Sequence, residues 1–249
     1  MASSRGWALV TGAARRIGRA LAIAAGEAGY DVLVHHHASP GDAEETARAI
    51  RRMGRRVRIC AADLTEPGVG GGLVGAAPGP LTLLVNCASL FEDDRVETLT
   101  AERLDAHFAV NLRAPVLLAQ AFAAALPAER HGLIVNIADQ RVWRLNPRFF
   151  SYTLSKAALW TATQTLAQAL APRIRVNAIA PGPTLASIHQ SPKDFAAEAA
   201  GVPLGHGADP GQIAAALRYL IDAPCVTGQM IAVDGGQHLA WRTPDVVGD

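Results

Sequence analysis

Lysine is almost absent from this chain of 249 residues. Only Lys156 and Lys193 occur, so the other cationic residues are arginines, which together with the abundant alanine is typical of a GC-rich genome. The 23 lysines and arginines balance 22 aspartates and glutamates, which leaves a net charge of +1. A protein that binds nucleic acid mainly through charge is therefore excluded, and we expect no nucleic-acid partner.

The sequence is also poor in cysteine and in long apolar runs. Cys60, Cys87 and Cys225 are odd in number, lie far apart and form no CxxC pattern. This excludes a disulfide framework and a zinc site, and we expect no metal. No uninterrupted apolar stretch reaches the roughly 18 residues of a membrane span, and Met1–Val10 lacks the apolar core of a secretory signal. We therefore expect a cytoplasmic protein that does not enter a membrane.

Short apolar runs alternate with longer amphipathic segments along nearly the whole chain. The runs predict strands at Trp7–Val10, Val32–His35, Val57–Ala61, Leu81–Val85, Leu133–Ala138, Arg175–Ala180 and Met230–Val233. The other segments predict helices at Arg19–Ala28, Ala43–Met53, Ala101–Leu126, Ser151–Leu170 and Pro210–Ile221. Gly68–Gly75 is interpreted as a loop with a degraded helix.

This alternation predicts an α/β protein with a single-domain Rossmann fold over residues 1–249. We expect a doubly wound, seven-stranded parallel sheet with helices on both faces. The cofactor half spans about residues 1–140 and the catalytic and substrate half about residues 141–249.

A glycine-containing turn, Thr11-Gly12-Ala13-Ala14-Arg15-Arg16-Ile17-Gly18, joins the first strand to the first helix. Glycines let the backbone approach a pyrophosphate, which the free N–H groups of a helix N-terminus stabilise. A purely structural turn is the alternative, but the position after the first strand favours a dinucleotide. The candidate cofactor residues here are Gly12, Arg15, Arg16, Ile17 and Gly18.

The end of the second strand has no carboxylate before Asp42. An acidic residue there normally binds the ribose 2′-hydroxyl of NAD, whereas here the chain reads His35-His36-His37-Ala38-Ser39. Imidazole donors, the Ser39 hydroxyl and the arginines of the first turn suit a 2′-phosphate, which favours NADPH. A metal site is disfavoured because adjacent strand residues point to opposite faces. Asp63, followed by Leu64, is expected to bind the adenine amino group, to cap the next turn, or both.

Tyr152 and Lys156 stand four residues apart at the start of a predicted helix. This spacing places the phenol and the ammonium on one face. A neighbouring ammonium favours the phenolate and is expected to lower the pKa of Tyr152, which would make it a proton donor near neutral pH.

Further motifs occur in a characteristic order along the chain: Asn86-Cys87-Ala88-Ser89, Asn111, and Pro181-Gly182-Pro183-Thr184. With the first turn and the Tyr-x3-Lys pair they resemble the short-chain dehydrogenase/reductase family over essentially the full chain; Arg16 replaces the family's middle glycine. The resemblance implies a water relay at Asn111, ribose binding by Lys156, proton donation by Tyr152, and a homotetramer built through two long helices. It also implies cofactor contacts at Asn86, Ala88, Ser89, Pro181, Gly182 and Thr184. A capping or helix-kink role is the alternative for Asn111.

One residue departs from the general family pattern. The family's serine, about 13 residues before the tyrosine, is replaced by Asp139. An ionised carboxylate would repel a developing alkoxide, which disfavours simple ketone reduction. A protonated carboxyl could instead donate to a ring nitrogen, and an ionised one could accept from ring N–H groups. A decayed site is the alternative.

Asp139, Tyr152 and Lys156 at this spacing resemble the pteridine reductase branch of the family. The branch implies NADPH-dependent reduction of a pterin or folate-like substrate, bound by Arg16, Ser89, Phe91, Asp139 and Tyr152, with Phe91 stacking on the ring. Packing in the core is the alternative for Phe91. A carbonyl or 3-oxoacyl thioester reductase and a silent NADPH-binding sensor remain the competing functions. Leu185, Ile188 and His189 in the loop Pro183–Gly201 are candidate lining residues.

Overall fold

The chain forms one sheet of seven parallel strands, as predicted. The computed structural model describes residues 4–186 and 190–241, so Ile188 and His189 lie outside the described residues. The strands are β1 (Trp7–Val10), β2 (Asp31–His36), β3 (Val57–Ala61), β4 (Leu81–Asn86), β5 (Gly132–Ile137), β6 (Ile174–Pro181) and β7 (Met230–Val233). Strands β1, β2, β4 and β5 are buried along their whole length, which explains why they are mainly apolar and do not alternate between apolar and polar residues.

Helices cover both faces of this sheet. They are α1 (Arg16–Glu27), α2 (Pro40–Arg52), α3 (Val69–Gly75), α4 (Ala101–Phe108), α5 (Ala114–Ala125), α6 (Phe150–Leu170), α7 (Pro192–Ala200) and α8 (Pro210–Asp222). One apolar core joins α1, α2 and α8 to the sheet, with Leu21, Ile50 and Leu217 at its centre. A second core on the opposite face joins α3, α5 and α6, and is centred on Phe122.

The strands lie in the order β3-β2-β1-β4-β5-β6-β7. This order reverses between β1 and β4, which are neighbours in the sheet although two strands separate them in sequence. In a doubly wound sheet a crevice opens at the carboxyl ends of the strands on either side of such a reversal. The first turn follows β1 and the Asn86–Ser89 motif follows β4, so the fold brings both to this crevice.

Two segments outside the main predicted helices contain short helices. Gly68–Gly75, interpreted as a loop with a degraded helix, contains α3, which packs closely against α5: a Cβ at Gly70 would lie 3.1 Å from the Leu117 carbonyl oxygen. Leu73 and Val74 of α3 are buried. Within the expected loop Pro183–Gly201, α7 begins after Ser191, whose hydroxyl accepts a hydrogen bond from the backbone of Asp194.

The predicted helix Ala101–Leu126 is interrupted by a π-helical turn at Ala109–Arg113. Within the described part of the chain, the composite helix Ala101–Ala125 is the one helix whose length and composition would suit a membrane span. Core helices of soluble proteins share these properties, and Leu118 and Phe122 of this helix are fully buried against the sheet.

Candidate active site

A cavity of about 650 Å³ opens at the carboxyl ends of the central strands. It collects most of the residues that were predicted for a cofactor and substrate. Its wall includes Gly12, Arg15, Arg16, Ile17, Gly18, His35, His36, His37, Ser39, Asp63, Leu64, Ala88, Ser89, Phe91, Asp139, Tyr152, Lys156, Pro181, Gly182 and Thr184. Asn86 and Asn111 do not line it.

The first turn forms a backbone cradle at one end of this cavity. Gly12 has a φ of +66°, and a Cβ on it would lie 2.9 Å from Cα of Ala88. A Cβ on Gly18 would lie 2.1 Å from the Gly12 carbonyl oxygen. The turn leads into α1, whose N-terminus receives no side-chain cap from a described residue. Space that side chains would fill, together with free N–H groups, fits a dinucleotide diphosphate.

Arg16 occupies the left-handed conformation that a glycine would adopt without strain, with a φ of +54°. Its guanidinium donates hydrogen bonds to the carbonyl oxygens of Ala186 and Leu185, at 2.9 and 3.1 Å. Arg16 therefore connects the first turn to the loop that follows β6.

His35 holds the first turn to the end of β2. Its Nδ1 accepts the Gly12 N–H at 3.1 Å, and its Nε2 lies 3.2 Å from the Ala62 carbonyl oxygen. Burial lowers the pKa of His35 to about 4, so the ring is neutral near pH 7. The expectation that His35 donates to a 2′-phosphate is corrected, because both ring nitrogens already have partners within the protein.

The neighbours of His35 differ in accessibility. His36 is buried and its Nδ1 accepts the Ser39 N–H at 3.3 Å. His37 is exposed, with Nε2 3.8 Å from Asp63. Arg15 is exposed and pairs with Asp42 at 3.5 Å. The accessible donors on this side of the cavity are therefore the exposed His37 and Arg15 and the half-buried Ser39.

Asp63 caps the turn that follows β3. Its Oδ1 accepts hydrogen bonds from the backbone N–H and the hydroxyl of Thr65, both at 2.8 Å. These bonds, the backbone one first, lower the pKa of Asp63. The capping interpretation therefore describes the geometry, and Oδ2 still faces His37 on the cavity wall.

Tyr152 and Asp139 are in direct contact. The Tyr152 hydroxyl donates to Oδ2 of Asp139 at 2.8 Å, and Oδ1 of Asp139 accepts the backbone N–H of Arg141 at 2.8 Å. Burial, and then the Asp139 carboxylate, raise the pKa of Tyr152 well above its ordinary value. The expectation that Lys156 lowers this pKa is therefore wrong: desolvation and the adjacent carboxylate dominate.

Lys156 lies on the same side of α6 as Tyr152, as the spacing predicted. Its Nζ lies 5.6 Å from the centre of the Tyr152 ring and donates to the Ile137 carbonyl oxygen at 2.7 Å. Burial lowers the pKa of Lys156 to about 8, although Asp139 opposes this effect. A single buried ammonium thus stands beside the tyrosine and the carboxylate.

Asn111 lies in the π turn and positions the loop after β4. Its side-chain amide donates to the Leu90 carbonyl and the Ser155 hydroxyl, both at 3.0 Å, and its Oδ1 accepts the Leu90 N–H at 2.8 Å. Asn86 instead donates to Oδ1 of Asn136 at 2.8 Å, within the sheet. Neither side chain reaches the cavity, so the predicted contact of Asn86 with the cofactor is corrected for its side chain.

Phe91 is packed against two aromatic neighbours. Its ring stacks on Phe149, with centroids 4.3 Å apart and planes 8° from parallel, and meets Tyr152 edge-on at 4.7 Å. It also lines the cavity. Both interpretations of Phe91 are thus compatible with its position: one part of the ring is packed and another is accessible.

Some contributors were missed by sequence reasoning. The Ser155 hydroxyl accepts a hydrogen bond from the Asn111 amide. Its position between Tyr152 and Lys156 in the sequence could have indicated that it belongs to the site. Cys87 stands in the cavity wall, where burial raises the pKa of its thiol to about 12. Trp143, close in sequence to Asp139, packs on His238 with a centroid separation of 5.1 Å.

The crevice at the strand reversal, its glycine cradle and the buried Tyr152–Lys156 pair define a dinucleotide-dependent oxidoreductase. The family described as enoyl-(acyl carrier protein) reductase matches residues 12–238. The chain is 34% identical to a short-chain type dehydrogenase/reductase of Picea abies, over 92% of this chain and 91% of the relative. It therefore belongs to the short-chain dehydrogenase/reductase family.

Two further relatives bear on the cofactor and the reaction. The crystal structure of FolM alternative dihydrofolate reductase 1 from Brucella canis, complexed with NADP, is 51% identical with a TM-score of 0.94, and the match covers 98% of each chain. The 3-oxoacyl-[acyl-carrier-protein] reductase FabG of Aggregatibacter actinomycetemcomitans is 31% identical over 92% of this chain and 97% of the relative. The cofactor of this oxidoreductase is NADP(H), as predicted from the second strand.

Proposed function

We propose that this protein uses NADPH to reduce a pterin or a folate-like dihydropteridine. The observation that carries the proposal is the 2.8 Å hydrogen bond between Tyr152 and Asp139. It places a carboxylate, where the family has a serine hydroxyl, directly on the proton donor. A carboxylate suits a heteroaromatic ring that presents N–H groups, and it disfavours a developing alkoxide.

The cavity residues divide into a cofactor set and a substrate set. NADPH supplies the hydride when it is bound. The backbone at Gly12 and Gly18 would hold its diphosphate, the donors of Arg15, His37 and Ser39 would hold its 2′-phosphate, and Lys156 would hold its ribose hydroxyls. The Asn111 amide orients Ser89 and Leu90 beside this site.

Tyr152 and Asp139 handle the protons. The raised pKa of Tyr152 keeps the phenol protonated near pH 7, so it can give a proton to the substrate. The buried ammonium of Lys156 stabilises the negative charge that then develops on the phenol oxygen. One carboxylate oxygen of Asp139 accepts the backbone N–H of Arg141, and the other accepts the Tyr152 hydroxyl. A ring N–H that binds to Asp139 would therefore share a carboxylate oxygen with the phenol or with the Arg141 N–H. Arg16, Ser89 and Phe91 line the same cavity, and Phe91 would offer a substrate ring an aromatic surface.

A carbonyl or 3-oxoacyl thioester reductase is the second candidate. The relationship to FabG and the enoyl-reductase description of the matching family favour it. The carboxylate at position 139 argues against it, for the reason given above. A silent NADPH-binding sensor is less well supported, because binding alone does not require Asn111, Tyr152 and Lys156 together.

NADPH oxidation by the purified protein distinguishes these candidates. We expect turnover with dihydrobiopterin, dihydromonapterin or dihydrofolate, its loss in Tyr152→Phe and Asp139→Ala, and weaker turnover with NADH. The pterin proposal fails if none of these substrates is reduced. Turnover of acetoacetyl thioesters that survives Asp139→Ala would support the second candidate. Biological activity that is unchanged by Tyr152→Phe would support the sensor.

The proposal includes a cytoplasmic homotetramer. Three unpaired cysteines suit a reducing compartment. Helix α5 carries one polar side chain, Gln120, and on its outer side Val116 and Leu117 are only partly covered and Ala124 is exposed. An apolar helix face of this kind suits close packing against a second copy, which favours the tetramer. Size-exclusion chromatography with light scattering tests it, and a monomer would contradict it.

A further inference from the structure

The catalytic helix α6 has no cap of its own. Phe149 occupies its N-cap position in a left-handed conformation, with a φ of +54°, and its side chain offers no hydrogen-bond acceptor. The first backbone N–H groups of a helix need acceptors from elsewhere. Tyr152 lies in this first turn, so the direction of the turn sets the position of the phenol.

Two neighbouring aspartates after β4 supply the missing acceptors. Oδ1 of Asp93 accepts the Phe149 N–H at 3.3 Å, the Asp94 carbonyl oxygen accepts the Phe150 N–H at 3.2 Å, and Oδ1 of Asp94 accepts the Ser151 N–H at 3.0 Å. The Ser151 hydroxyl also donates to Oδ2 of Asp94. Three successive backbone N–H groups at the start of α6 thus donate hydrogen bonds to the dipeptide Asp93-Asp94.

The two carboxylates differ in their surroundings. Asp93 is partly exposed and pairs with Arg148 at 2.6 Å, which lowers its pKa. Asp94 is 1% exposed, and no described cationic side chain lies within salt-bridge distance of it. A buried carboxylate requires compensation, and here the compensation is the positive end of the α6 dipole together with the bonds from Ser151.

The segment that carries these aspartates also carries Phe91. The ring stack of Phe91 on Phe149 and its edge contact with Tyr152 lie directly beside the cap. Residues 91–94 and 149–152 therefore form one packed unit, which we name the cap unit. The opposite side of the Tyr152 hydroxyl is held by Asp139.

We propose that Asp94 is a positioning residue for the reduction: by capping α6 it holds the Tyr152 phenol in its place against Asp139. The kinetic part of this inference rests on the proposed function. The position of Tyr152 itself can be measured without any substrate.

The substrate-free test uses the full chain labelled with 3-fluorotyrosine. The protein has three tyrosines, Tyr30, Tyr152 and Tyr219, so fluorine NMR gives three resonances. Tyr152→Phe assigns the resonance of interest. We expect Asp94→Ala to move the Tyr152 resonance and to leave that of Tyr30 in place. An unmoved Tyr152 resonance in the folded variant overturns the proposal.

A matched control removes an equivalent cap elsewhere. Asp209 caps α8 through a capping box with Gln212, and α8 carries Tyr219 rather than Tyr152. We expect Asp209→Ala to lower the melting temperature while leaving the Tyr152 resonance in place. If both variants move that resonance equally, the effect is general loosening and the proposal is wrong.

The kinetic test compares the same variants. For Asp94→Ala we expect kcat to fall by about 10- to 100-fold, with an unchanged Kd for NADPH by fluorescence titration. Asp94→Asn keeps one acceptor for the Ser151 N–H, so its loss is smaller, and it carries the test if the alanine variant does not fold. Equal kcat losses in Asp94→Ala and Asp209→Ala overturn the proposal. If wild-type protein reduces a carbonyl compound but no pterin, the proposed function fails while the fluorine result still decides the role of Asp94.

Discussion

The Tyr152 hydroxyl and Oδ2 of Asp139, 2.8 Å apart, join the start of α6 to the end of β5. Each group changes the chemistry of the other. The carboxylate, added to the effect of burial, holds the proton on the phenol, and the phenol occupies one of the two oxygens that a substrate ring could use. The phenol of Tyr152 therefore keeps its proton, and the carboxylate of Asp139 presents a negative charge beside it.

Replacing the carboxylate by the family's serine should exchange one reaction for the other. In Asp139→Ser we expect pterin reduction to fall by about 100-fold, because the charged acceptor for ring N–H groups is replaced by a weaker, neutral hydroxyl. Reduction of acetoacetyl thioesters should rise, because a hydroxyl donates to the carbonyl oxygen. Steady-state NADPH oxidation with both substrates measures the exchange. Asp139→Ala is the control, since it removes the charge without adding a donor; an equal rise in thioester reduction there would contradict the prediction.

Activity should decline on the alkaline side near the pKa of Lys156. Its ordinary value of 10.5 is lowered to about 8 by burial, so the ammonium deprotonates as the pH rises through about 8. Neutral Lys156 can no longer stabilise charge on Tyr152, and kcat/KM should fall about tenfold per pH unit above that point. Lys156→Arg keeps its charge at high pH. If its weaker activity declines at the same pH as the wild type, another group is responsible.

Two substitutions at Arg16 distinguish the effect of its positive φ on stability from the effect of its hydrogen bonds to Leu185 and Ala186. Both Arg16→Gly and Arg16→Ala remove the bonds to Leu185 and Ala186, so amide exchange near Leu185 should become faster in each. Only glycine relieves the positive φ, so Arg16→Gly should be more stable than Arg16→Ala by about 1 kcal/mol. Hydrogen exchange and urea unfolding measure the two effects. Arg15→Ala is the control, since Arg15 has an extended φ of −139° and should show neither.

His35 should make the fold sensitive to acid. Its pKa is 6.5 when unperturbed and about 4 in the folded protein, so the unfolded chain binds a proton more readily between these values. The free energy of unfolding contributed by neutral His35 is complete above pH 6.5 and is lost as the pH falls to about 4. The total loss is on the order of 3 kcal/mol.

Urea unfolding at several pH values measures this loss for wild type against His35→Gln. Glutamine does not titrate and retains both a donor and an acceptor. We expect the difference between the two proteins to depend on pH in that window and to be constant above it. A difference that is independent of pH would show that the ring does not titrate as predicted.

The strands could be predicted closely because each is short, apolar and bounded by turn residues. Even so, β2 begins at Asp31 rather than Val32, because the backbone of Asp31 pairs with Trp7 of β1. The π turn was not predictable from periodicity, because its residues Ala109–Arg113 include no glycine or proline that would mark a change in the helix. Helix α3 was expected only as a degraded helix within a loop, because glycine disfavours helices. The small size of Gly70 is what allows its approach to α5.

The membership of the site was more predictable than its electrostatics. Residue spacing brought Tyr152 and Lys156 to one cavity, but the pKa of Tyr152 depends on burial and on Asp139, which lies on another element. The same applies to His35, whose position in a histidine run suggested a hydrogen-bond donor to the 2′-phosphate of the cofactor. Its actual partners, Gly12 and Ala62, are brought to it by the packing of the first turn and β3.

The π turn at Ala109–Arg113 acts as a phase shift within one helix. Deleting one residue there would restore a regular helix and rotate everything after it by about 100°. Asn111 could then keep its bonds to Leu90, or Phe122 could keep its place under the sheet, but not both. The extra residue gives the two parts of the helix different rotational phases. The active-site loop fixes the phase before the turn, and the core fixes the phase after it.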